Sequence, residues 1–470
     1  MLQPEQHIHI VGVGGFGMSA IARVLLQRGY TVSGSDLRAN DFTRALAAQG
    51  ATIYQGHAAD QIVGADVIVR TSAATDDNPE VAAGLAAGLP VLRRQDMLGA
   101  LMAQQTGIAI AGTHGKTTTT ALLVHVLLEA GLDPTYIIGG VLQNTGTNAG
   151  VGQGAAFVIE ADEYDHMFLG LRPRIAVVTN VEHDHPDCFP TEADVLRAFS
   201  DFVARLPEDG LLVVCADDVH AHDLGLAHRE AGGQVVFYGL QSGDWQARDV
   251  QPDEAGGMAF EVWHEGQPVG CANLAQAGTF NVLNALAVLA VAHQLDVPFA
   301  KSAAALASFL GTGRRGEVLG SAGGVRVLSD YAHHPTAIRV TLEARRAQLQ
   351  VHSTEGRAGD LWAVWQPHTF NRMRALAGDF AHAFAAAQHV LVTDVYSVRE
   401  TVSAGLDAPG MADRIRAAEH PDVRYTGSLN ETARYLAAHV QAGDEVVILS
   451  AGDAPQVGEQ FFALRRDQER

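Results

Sequence analysis

The sequence is poor in cysteine and in positive charge. Its three cysteines, Cys188, Cys215 and Cys271, are widely and unequally spaced along 470 residues, which argues against a disulfide framework or a zinc ribbon. The chain has 32 basic and 53 acidic residues, and its formal net charge is −21. A surface of that sign repels nucleic acid and anionic lipid, so we expect neither as a partner. Anionic ligands must instead be held by local sites.

Long hydrophobic runs are also missing. The apolar segments are short and interrupted by glycine, well below the length that crosses a bilayer, so we expect no membrane insertion. The opening residues LQPEQHIH continue directly into a strand pattern and lack the features of a signal peptide. Together with the low cysteine content, this pattern predicts a cytoplasmic protein.

The sequence does contain a regular alternation of short β-rich runs and helical patterns, which indicates an α/β fold. A chain of this length is too long for one hydrophobic core. We therefore predict three domains, covering residues 1–105, 106–312 and 313–470. The first has the strand and helix order of a doubly wound fold. The segment 241–257 shows no clear periodicity and is predicted to be loosely structured.

The first glycine-rich motif is GVGGFG at residues 12–17, which follows a predicted strand and opens a predicted helix. Asp36 lies 19 residues after Gly17, at the end of the second predicted strand. Glycine lets the backbone approach a pyrophosphate closely while the helix N-terminus faces the anion. The motif alone leaves three interpretations open: a nicotinamide or flavin dinucleotide site, a site for another diphosphate such as a nucleotide sugar, and a turn without a ligand.

The second glycine-rich motif is AGTHGKTTTT at residues 111–120, after the apolar run GIAIA. It resembles a phosphate-binding loop that is two residues short, because Ile110 stands where the first glycine of the full pattern belongs. Lys116 is one of only two lysines in the chain, the other being Lys301. We expect Lys116 to neutralise the β- and γ-phosphates of ATP and the Thr117 hydroxyl to ligate Mg²⁺. The alternative is a capped helix with Thr113 as the cap.

Two groups of polar side chains follow predicted strands and are candidates for holding the magnesium. The first strand is followed by Glu160, Asp162, Glu163 and Asp165, and the second by Asn180, Glu182, His183, Asp184 and His185. In open α/β sheets, ligands bind at the carboxyl ends of strands. We favour magnesium over zinc, because the phosphate loop supplies phosphates and no cysteine–histidine pair completes a tetrahedral set. A solvated acidic turn is the alternative.

With these motifs in order, the chain resembles the Mur ligases, the ATP-dependent amide-forming enzymes of peptidoglycan synthesis. The resemblance covers nearly the whole chain, and its nearest branch is the one that adds L-alanine. It rests on ten motifs: GVGGFGMSAIA (12–22), SGSD (33–36), AGTHGKTTTT, EADEYD (160–165), NVEHDHPD (180–187), GTFNVLNALA (278–287), GTGRRGE (311–317), SDYAHHPT (329–336), QPHTFNR (366–372) and TDVYSVRE (393–400). It implies a Rossmann-like N-terminal domain, a central domain like the P-loop ATPases, and a Rossmann-like C-terminal domain.

The resemblance also implies site residues. The ATP-binding residues would be Gly112, Thr113, His114, Gly115, Lys116, Thr117, Thr118, Asn281, Arg315 and Asp330. The first glycine loop would bind the uridine diphosphate of a sugar nucleotide, through Gly14, Gly15, Gly17, Met18, Ser19, Asp36 and Ser72. The incoming amino acid would meet Arg372, His334 and Tyr331, and the metal would meet Thr117, Glu160 and His185. The catalytic residues would be Lys116, Glu160, His185 and Arg372.

The implied reaction adds L-alanine to the lactyl carboxylate of UDP-N-acetylmuramate, with ATP and Mg²⁺, through an acyl phosphate. The rival branch attaches a tripeptide to the same sugar nucleotide, and the EADEYD form of the fourth motif keeps it open. An NAD-dependent oxidoreductase fused to a phosphate-loop module is a further alternative. The chain departs from the family pattern at Phe280, Gly316 and Thr369. We expect a monomer or a homodimer.

Overall fold

The structure is a computed structural model that describes Gln3 and residues 5–351, 359–397 and 406–468. Its three β-sheets fall within the three predicted domain ranges, and the α/β class is confirmed. By compactness, the chain divides into two units. The first comprises Met1–Val181, Leu196–Gln246 and Leu286–Ala305, and the second comprises Glu182–Val195, Ala247–Ala285 and Leu306–Arg470. In the described part of the chain, no helix combines the length and the apolar character needed to cross a membrane.

The first sheet is fully parallel and has the strand order β3-β2-β1-β4-β5. Its strands are β1 (His7–Val11), β2 (Thr31–Asp36), β3 (Thr52–Gln55), β4 (Val67–Arg70) and β5 (Val91–Arg93), and its helices are α1 (Phe16–Gln27), α2 (Asp41–Ala48), α3 (Pro79–Ala86) and α4 (Arg94–Met102). The strand order reverses between β1 and β4, so the loops after these two strands open a crevice where ligands bind in such folds.

The second sheet belongs to the central region and has seven strands in the order β12-β11-β10-β6-β9-β7-β8 within the first unit. The strands are β6 (Thr106–Ala111), β7 (Thr135–Leu142), β8 (Thr147–Gly150), β9 (Ala156–Glu160), β10 (Ile175–Val178), β11 (Leu211–Cys215) and β12 (Gln234–Gly239). Strand β6 pairs in parallel with β9 on one side and with β10 on the other. The second glycine loop therefore emerges between the ends of two neighbouring strands.

Further elements of the central region complete this part of the chain. They are α5 (Lys116–Glu129), α6 (Glu192–Val203), α7 (Val219–Glu230), β13 (Trp245–Pro252), β14 (Met258–His264), β15 (Gln267–Leu274), α8 (Thr279–Gln294) and α9 (Phe299–Ser308). The prediction of a loose segment at 241–257 was wrong for residues 245–252, because β13 occupies them. Its sequence WQARDVQP lacks the alternation of apolar and polar residues that predicts a strand, because most of its side chains after Ala247 are polar and exposed.

The third sheet has the order β16-β17-β21-β18-β19-β20, with β16 antiparallel to β17 and the other pairs parallel. Its elements are β16 (Glu317–Ala322), β17 (Val325–Asp330), α10 (Pro335–Val351), β18 (Leu361–Trp365), α11 (Phe370–Ala375), α12 (Ala377–His382), β19 (His389–Thr393), α13 (Ala408–Ala417), β20 (Val423–Gly427), α14 (Leu429–His439), β21 (Glu445–Leu449) and α15 (Gln456–Gln468). Two apolar clusters pack on this sheet, one of them around Trp365 and Phe384.

Candidate active site

The first glycine loop borders a cavity of about 710 Å³ in the first unit. Helix α1 begins directly after Gly15, and its first turn carries no acidic residue and no side-chain cap. Its first N–H groups have no acceptor within the helix, so they face outward as donors. Of the residues predicted to bind a sugar nucleotide, Gly15, Gly17, Met18 and Ser72 line this cavity.

The other residues predicted for the sugar nucleotide lie around the loop. The Gly14 N–H donates to Asp36 Oδ2 at 2.9 Å, so Asp36 fixes the shape of the loop from the end of β2. A methyl group at Gly14 would lie 2.8 Å from that oxygen, which explains the glycine. Ser19 is buried on α1, where its hydroxyl donates to the Phe16 carbonyl at 2.9 Å. The roles of these residues stay predictions.

The second glycine loop is held by the residues after β10. The Thr113 N–H donates to the Asn180 carbonyl at 3.0 Å, and the His114 N–H donates to the Asn180 side chain at 2.8 Å. Gly112 has a φ of +138° and Gly115 a φ of +82°, which favours glycine at both positions. The loop therefore presents its backbone at the start of α5, where the resemblance expects the phosphates of ATP. Thr118 is the third residue of that helix.

Lys116 is turned into the loop and paired with a carboxylate. Its Nζ donates to Glu163 Oε2 at 2.7 Å and to the Gly112 carbonyl at 2.6 Å. Both side chains of the ion pair are almost entirely buried. Burial raises the pKa of Glu163 to about 7, although the neighbouring Lys116 opposes that shift. Burial by itself would lower the pKa of Lys116, but the charges of Glu163 and Asp162 raise it, so the lysine is a fixed cation.

Thr117 and Glu160 form a compact set of oxygen atoms beside this lysine. The Thr117 hydroxyl donates to Glu160 Oε1 at 3.1 Å, and the Gly139 N–H donates to Glu160 Oε2 at 2.8 Å. A hydroxyl and a carboxylate are hard oxygen ligands of the kind that Mg²⁺ prefers. The residues present therefore fit a magnesium ion at the ends of β6 and β9.

The second unit contains a buried cluster around Arg372, at the start of α11. Arg372 Nε donates to Asp184 Oδ1 at 2.8 Å, and its two terminal nitrogens lie 3.1 Å from His368 Nδ1 and 3.2 Å from His185 Nδ1. Asp184 also accepts from the His185 N–H at 2.6 Å. Burial by itself would raise the pKa of Asp184, but the positive charges of His185 and Arg372 hold it well below its usual range.

Two further histidines of this cluster stay neutral, because they are buried beside the same guanidinium. Burial and the charge of Arg372 lower the pKa of His368 to about 4, and they lower the pKa of His333 well below its ordinary value. His334, one of the residues predicted to meet the amino acid, is buried with its Nδ1 3.5 Å from a Glu182 oxygen. The second unit thus gathers Arg372, His185 and His334 on neighbouring segments.

The remaining residues implied for the nucleotide lie near the start of the third sheet and of α8. The Arg315 guanidinium lies 4.8 Å from the Tyr331 ring centroid. Asp330 accepts from the Gly316 and Ala332 N–H groups, both at 2.8 Å. Asn281 is buried and donates to the Ala277 carbonyl at 2.7 Å. Residues 398–400, the end of the motif TDVYSVRE, lie outside the described residues.

Four side chains in these clusters were not assigned a role from the sequence, namely Arg94, Glu163, Asp184 and His368. Glu163 and Asp184 stood among the candidate carboxylates, but nothing in the spacing distinguished them from their neighbours. In the sequence, Arg94 ends the run LPVLRR before the predicted helix, and His368 lies within QPHTFNR, where the resemblance assigns a role only to Arg372. The Arg94 guanidinium lies beside Gly17 of the first glycine loop, and this contact depends on the tertiary fold.

Profiles of one protein family match most of the chain. The profile "Mur ligase family, catalytic domain" matches residues 7–106, "Mur ligase middle domain" matches 110–292, and "Mur ligase, glutamate ligase domain" matches 314–452. Two similar curated proteins are the UDP-N-acetylmuramate–L-alanine ligases of Syntrophotalea carbinolica and Geobacter sulfurreducens. The first is 42% identical over 96% of both chains, and the second is 42% identical over 97% of both chains.

Solved structures give the same result at the level of the fold. The UDP-N-acetylmuramate–alanine ligase of Thermotoga maritima superposes with a TM-score of 0.80 and 27% identity, over 99% of this chain and 100% of that one. A murein peptide ligase of Psychrobacter arcticus superposes with a TM-score of 0.69 and 28% identity, over 98% of each chain.

Proposed function

The chain belongs to the Mur ligase family, the ATP-dependent enzymes that form amide bonds, and we propose that it joins L-alanine to the lactyl carboxylate of UDP-N-acetylmuramate in peptidoglycan synthesis. The observation that carries this proposal is the group formed by Lys116, Thr117 and Glu160 on the second glycine loop and the end of β9. A site of this kind serves phosphoryl transfer from a nucleoside triphosphate. We also propose that the enzyme works in the cytoplasm as a monomer or a homodimer.

A carboxylate does not condense with an amine in water without activation, because the reaction is uphill and the carboxylate is a poor electrophile. In the proposed reaction, an oxygen of the lactyl carboxylate attacks the γ-phosphorus of ATP and ADP leaves. The amine of L-alanine then attacks the carbonyl carbon of the acyl phosphate, and phosphate leaves with the bridging oxygen. Each step concentrates negative charge on phosphoryl oxygens, which a fixed cation stabilises.

Lys116 would supply that fixed cation. In the ligand-free chain its partners are Glu163 and the loop carbonyls. When the phosphates of ATP bind, they replace these partners, and the buried surroundings strengthen the new contacts. The Thr117 hydroxyl and Glu160 would hold Mg²⁺, which supplies charge neutralisation at the phosphates when bound.

The amino acid would be bound by the cluster around Arg372. Asp184 and His368 hold the guanidinium in place. Asp184 accepts a hydrogen bond from the Nε of Arg372, and His368 contacts one terminal nitrogen. An arginine with its orientation fixed in this way can receive a carboxylate through its remaining donors.

The branch that attaches a peptide to the same sugar nucleotide is the second candidate. It is supported by the fold similarity to a murein peptide ligase and by Tyr164, which gives the motif EADEYD its form. The 42% identity to two curated L-alanine ligases, over almost the full chains, favours L-alanine. Family membership leaves no support for the NAD-dependent oxidoreductase.

The deciding experiment measures phosphate release from ATP in the presence of UDP-N-acetylmuramate, with each of the twenty amino acids and with the L-alanyl-γ-D-glutamyl-diaminopimelate tripeptide. We expect L-alanine to give the highest kcat/KM and the tripeptide to give background release. Turnover with the tripeptide above that with L-alanine would assign the chain to the rival branch. Reactions without the sugar nucleotide serve as the blank.

A further inference from the structure

Arg94, the first residue of α4, lines the cavity beside the first glycine loop. Its guanidinium lies against the start of α1. A methyl group added at Gly17 would lie 2.5 Å from Arg94 Cζ and 2.6 Å from Arg94 Nη2. The third glycine of GVGGFG therefore leaves room for a cation here, in addition to any role in helix packing.

Arg94 is a costly side chain to bury in this position. Its Nε is shut off from solvent and has no hydrogen-bond partner within the described residues. Burial lowers its pKa, and the charges that oppose this shift, Asp162 and Glu160, act on it through space. An unsatisfied buried donor on a charged group costs free energy unless a ligand completes it. A ligand that completes this donor must accept a hydrogen bond, and a negative charge on the ligand would strengthen the contact.

Two positive ends thus converge at one point of the cavity, the guanidinium of Arg94 and the N-terminus of α1. Two other arginines line this cavity. Arg70 is held by Asp76 at 2.5 Å and by the Ala74 carbonyl, and Arg93 is exposed. Asp162 and Asp165 also line the cavity and would repel an anion. Arg94 and the helix N-terminus together therefore form the favoured place for an anion in this lining.

We propose that Arg94 binds the diphosphate of the sugar nucleotide, together with the N-terminus of α1. This inference rests on the proposed function, because it assumes a uridine diphosphate sugar in the cavity. The planar guanidinium can donate two parallel hydrogen bonds to phosphate oxygens, which lysine cannot do. Helix α4 also packs on the segment 164–170 after β9, since Gly99 lies directly against the Gly170 carbonyl. Diphosphate binding at Arg94 would therefore steady the segment that follows Glu160.

The test compares UDP with uridine, which differ only in the diphosphate. Calorimetry gives Kd for UDP and for UDP-N-acetylmuramate, and saturation-transfer NMR gives the weaker Kd for uridine. For Arg94→Met we expect Kd for both diphosphates to rise roughly 10- to 100-fold, as for the loss of a charged hydrogen-bonded contact. Kd for uridine should stay unchanged. Arg44→Met on α2 is the control, because Arg44 is exposed and pairs with Asp41.

Gly17→Ala provides a second variant that keeps the charge. Its methyl group displaces the guanidinium, so Kd for UDP should rise here as well. If both changes act through Arg94, the double variant Gly17→Ala with Arg94→Met should bind UDP no more weakly than Arg94→Met alone. This comparison separates displacement of Arg94 from a direct clash between the methyl group and the ligand.

Two results would overturn the inference. One is an Arg94→Met protein that binds UDP as tightly as the wild type. The other is an equal loss of uridine and UDP binding, which would mean that the cavity itself had collapsed. A wild-type protein that binds neither UDP nor UDP-N-acetylmuramate would instead overturn the proposed function, so the two failures are distinguishable.

Discussion

The buried ion pair of Lys116 and Glu163 fixes the position of the lysine in the second glycine loop. The carboxylate holds the lysine in the loop while ATP is absent, at a distance of 2.7 Å. The same contact competes with the phosphates, because one ammonium cannot serve both partners fully. We therefore predict that Lys116 exchanges Glu163 for the phosphates when ATP binds.

Replacing Lys116 with methionine should lower kcat by about 10²-fold or more, because the developing charge on the phosphoryl group loses its fixed cation. Initial rates of phosphate release at saturating substrates measure this effect. Lys301→Met is the matched control, since Lys301 is the only other lysine and is exposed on α9. A Lys116→Met protein with near wild-type kcat would refute the role assigned to this residue.

Glu163 should make stability depend on pH. Its pKa is about 7 in the folded chain against an ordinary value of 4.5, so the folded state binds the proton more tightly than the unfolded state. The contribution is fully present below about pH 4.5 and is lost as the pH rises through about 7. Between those values, the free energy of unfolding should fall on the order of a few kcal/mol more in the wild type than in Glu163→Gln.

Urea unfolding at a series of pH values measures this difference in slope. Glu163→Gln also removes a charge that raises the pKa of Lys116, so the slopes are compared only between about pH 4.5 and about pH 7. Glu343→Gln on α10 is the control, because Glu343 is half exposed and should keep the wild-type slope. Parallel curves for the wild type and Glu163→Gln would contradict the assignment.

For single residues, the sequence predicted which side chains belong to a site but not which of them contact each other. Strand ends predicted that Thr117 and Glu160 would lie together, and their oxygens are 3.1 Å apart. The shape of the turn after β9 decides that Glu163 is the partner of Lys116. The sequence offers four carboxylates there and does not indicate which of them contacts the lysine. Arg372 and Asp184 are 188 residues apart in the chain, and their contact depends on the tertiary fold.

Helix α5 carries the phosphate loop at one end and an ordinary turn at the other. At its start, Gly112 has a left-handed backbone and lies directly against the Thr179 hydroxyl, where a side chain would overlap it. At its end, Gly131 also has a positive φ, of +80°, but nothing lies within 4 Å of a side chain placed there. The two glycines thus share a backbone requirement and differ in packing.

Gly112→Ala should abolish detectable ATP binding, because the methyl group forces the loop away from Thr179 and from the Asn180 contacts. Gly131→Ala should cost about 1 kcal/mol of stability for the left-handed backbone alone and leave ATP binding unchanged. Calorimetric titration with ATP and a thermal melt of each variant measure both effects. Equal ATP affinity in Gly112→Ala and the wild type would show that the loop tolerates the shift.

Regular elements with strong apolar patterns were predicted well from the sequence. The sequence predicts strands at 31–36 and 258–264, which match β2 and β14 at both ends, and a helix at 16–28, which is one residue longer than α1. Strand β13 was missed because its polar side chains follow no alternation, and β3 was missed because it has only four residues, two of them exposed. Such strands are specified by pairing with a neighbour, which local sequence does not encode.

Across the whole chain, the proposed reaction draws on residues that are far apart in the sequence, from Lys116 in the second glycine loop to Arg372 at the start of α11. Lys116 and Glu160 belong to the first compact unit, and His185 and Arg372 belong to the second. The order of motifs along the chain was sufficient to predict the family and the α/β fold class. The pairing of side chains within each unit required the structure.

The central claim is that the lactyl carboxylate is activated by direct transfer of the γ-phosphoryl group. The most direct measurement uses UDP-N-acetylmuramate with both carboxylate oxygens replaced by ¹⁸O, incubated with ATP, L-alanine and the enzyme. Mass spectrometry of the released phosphate should show one ¹⁸O for each amide formed, since phosphate leaves with the bridging oxygen. Phosphate without ¹⁸O, or release of AMP and pyrophosphate in place of ADP, would contradict the account.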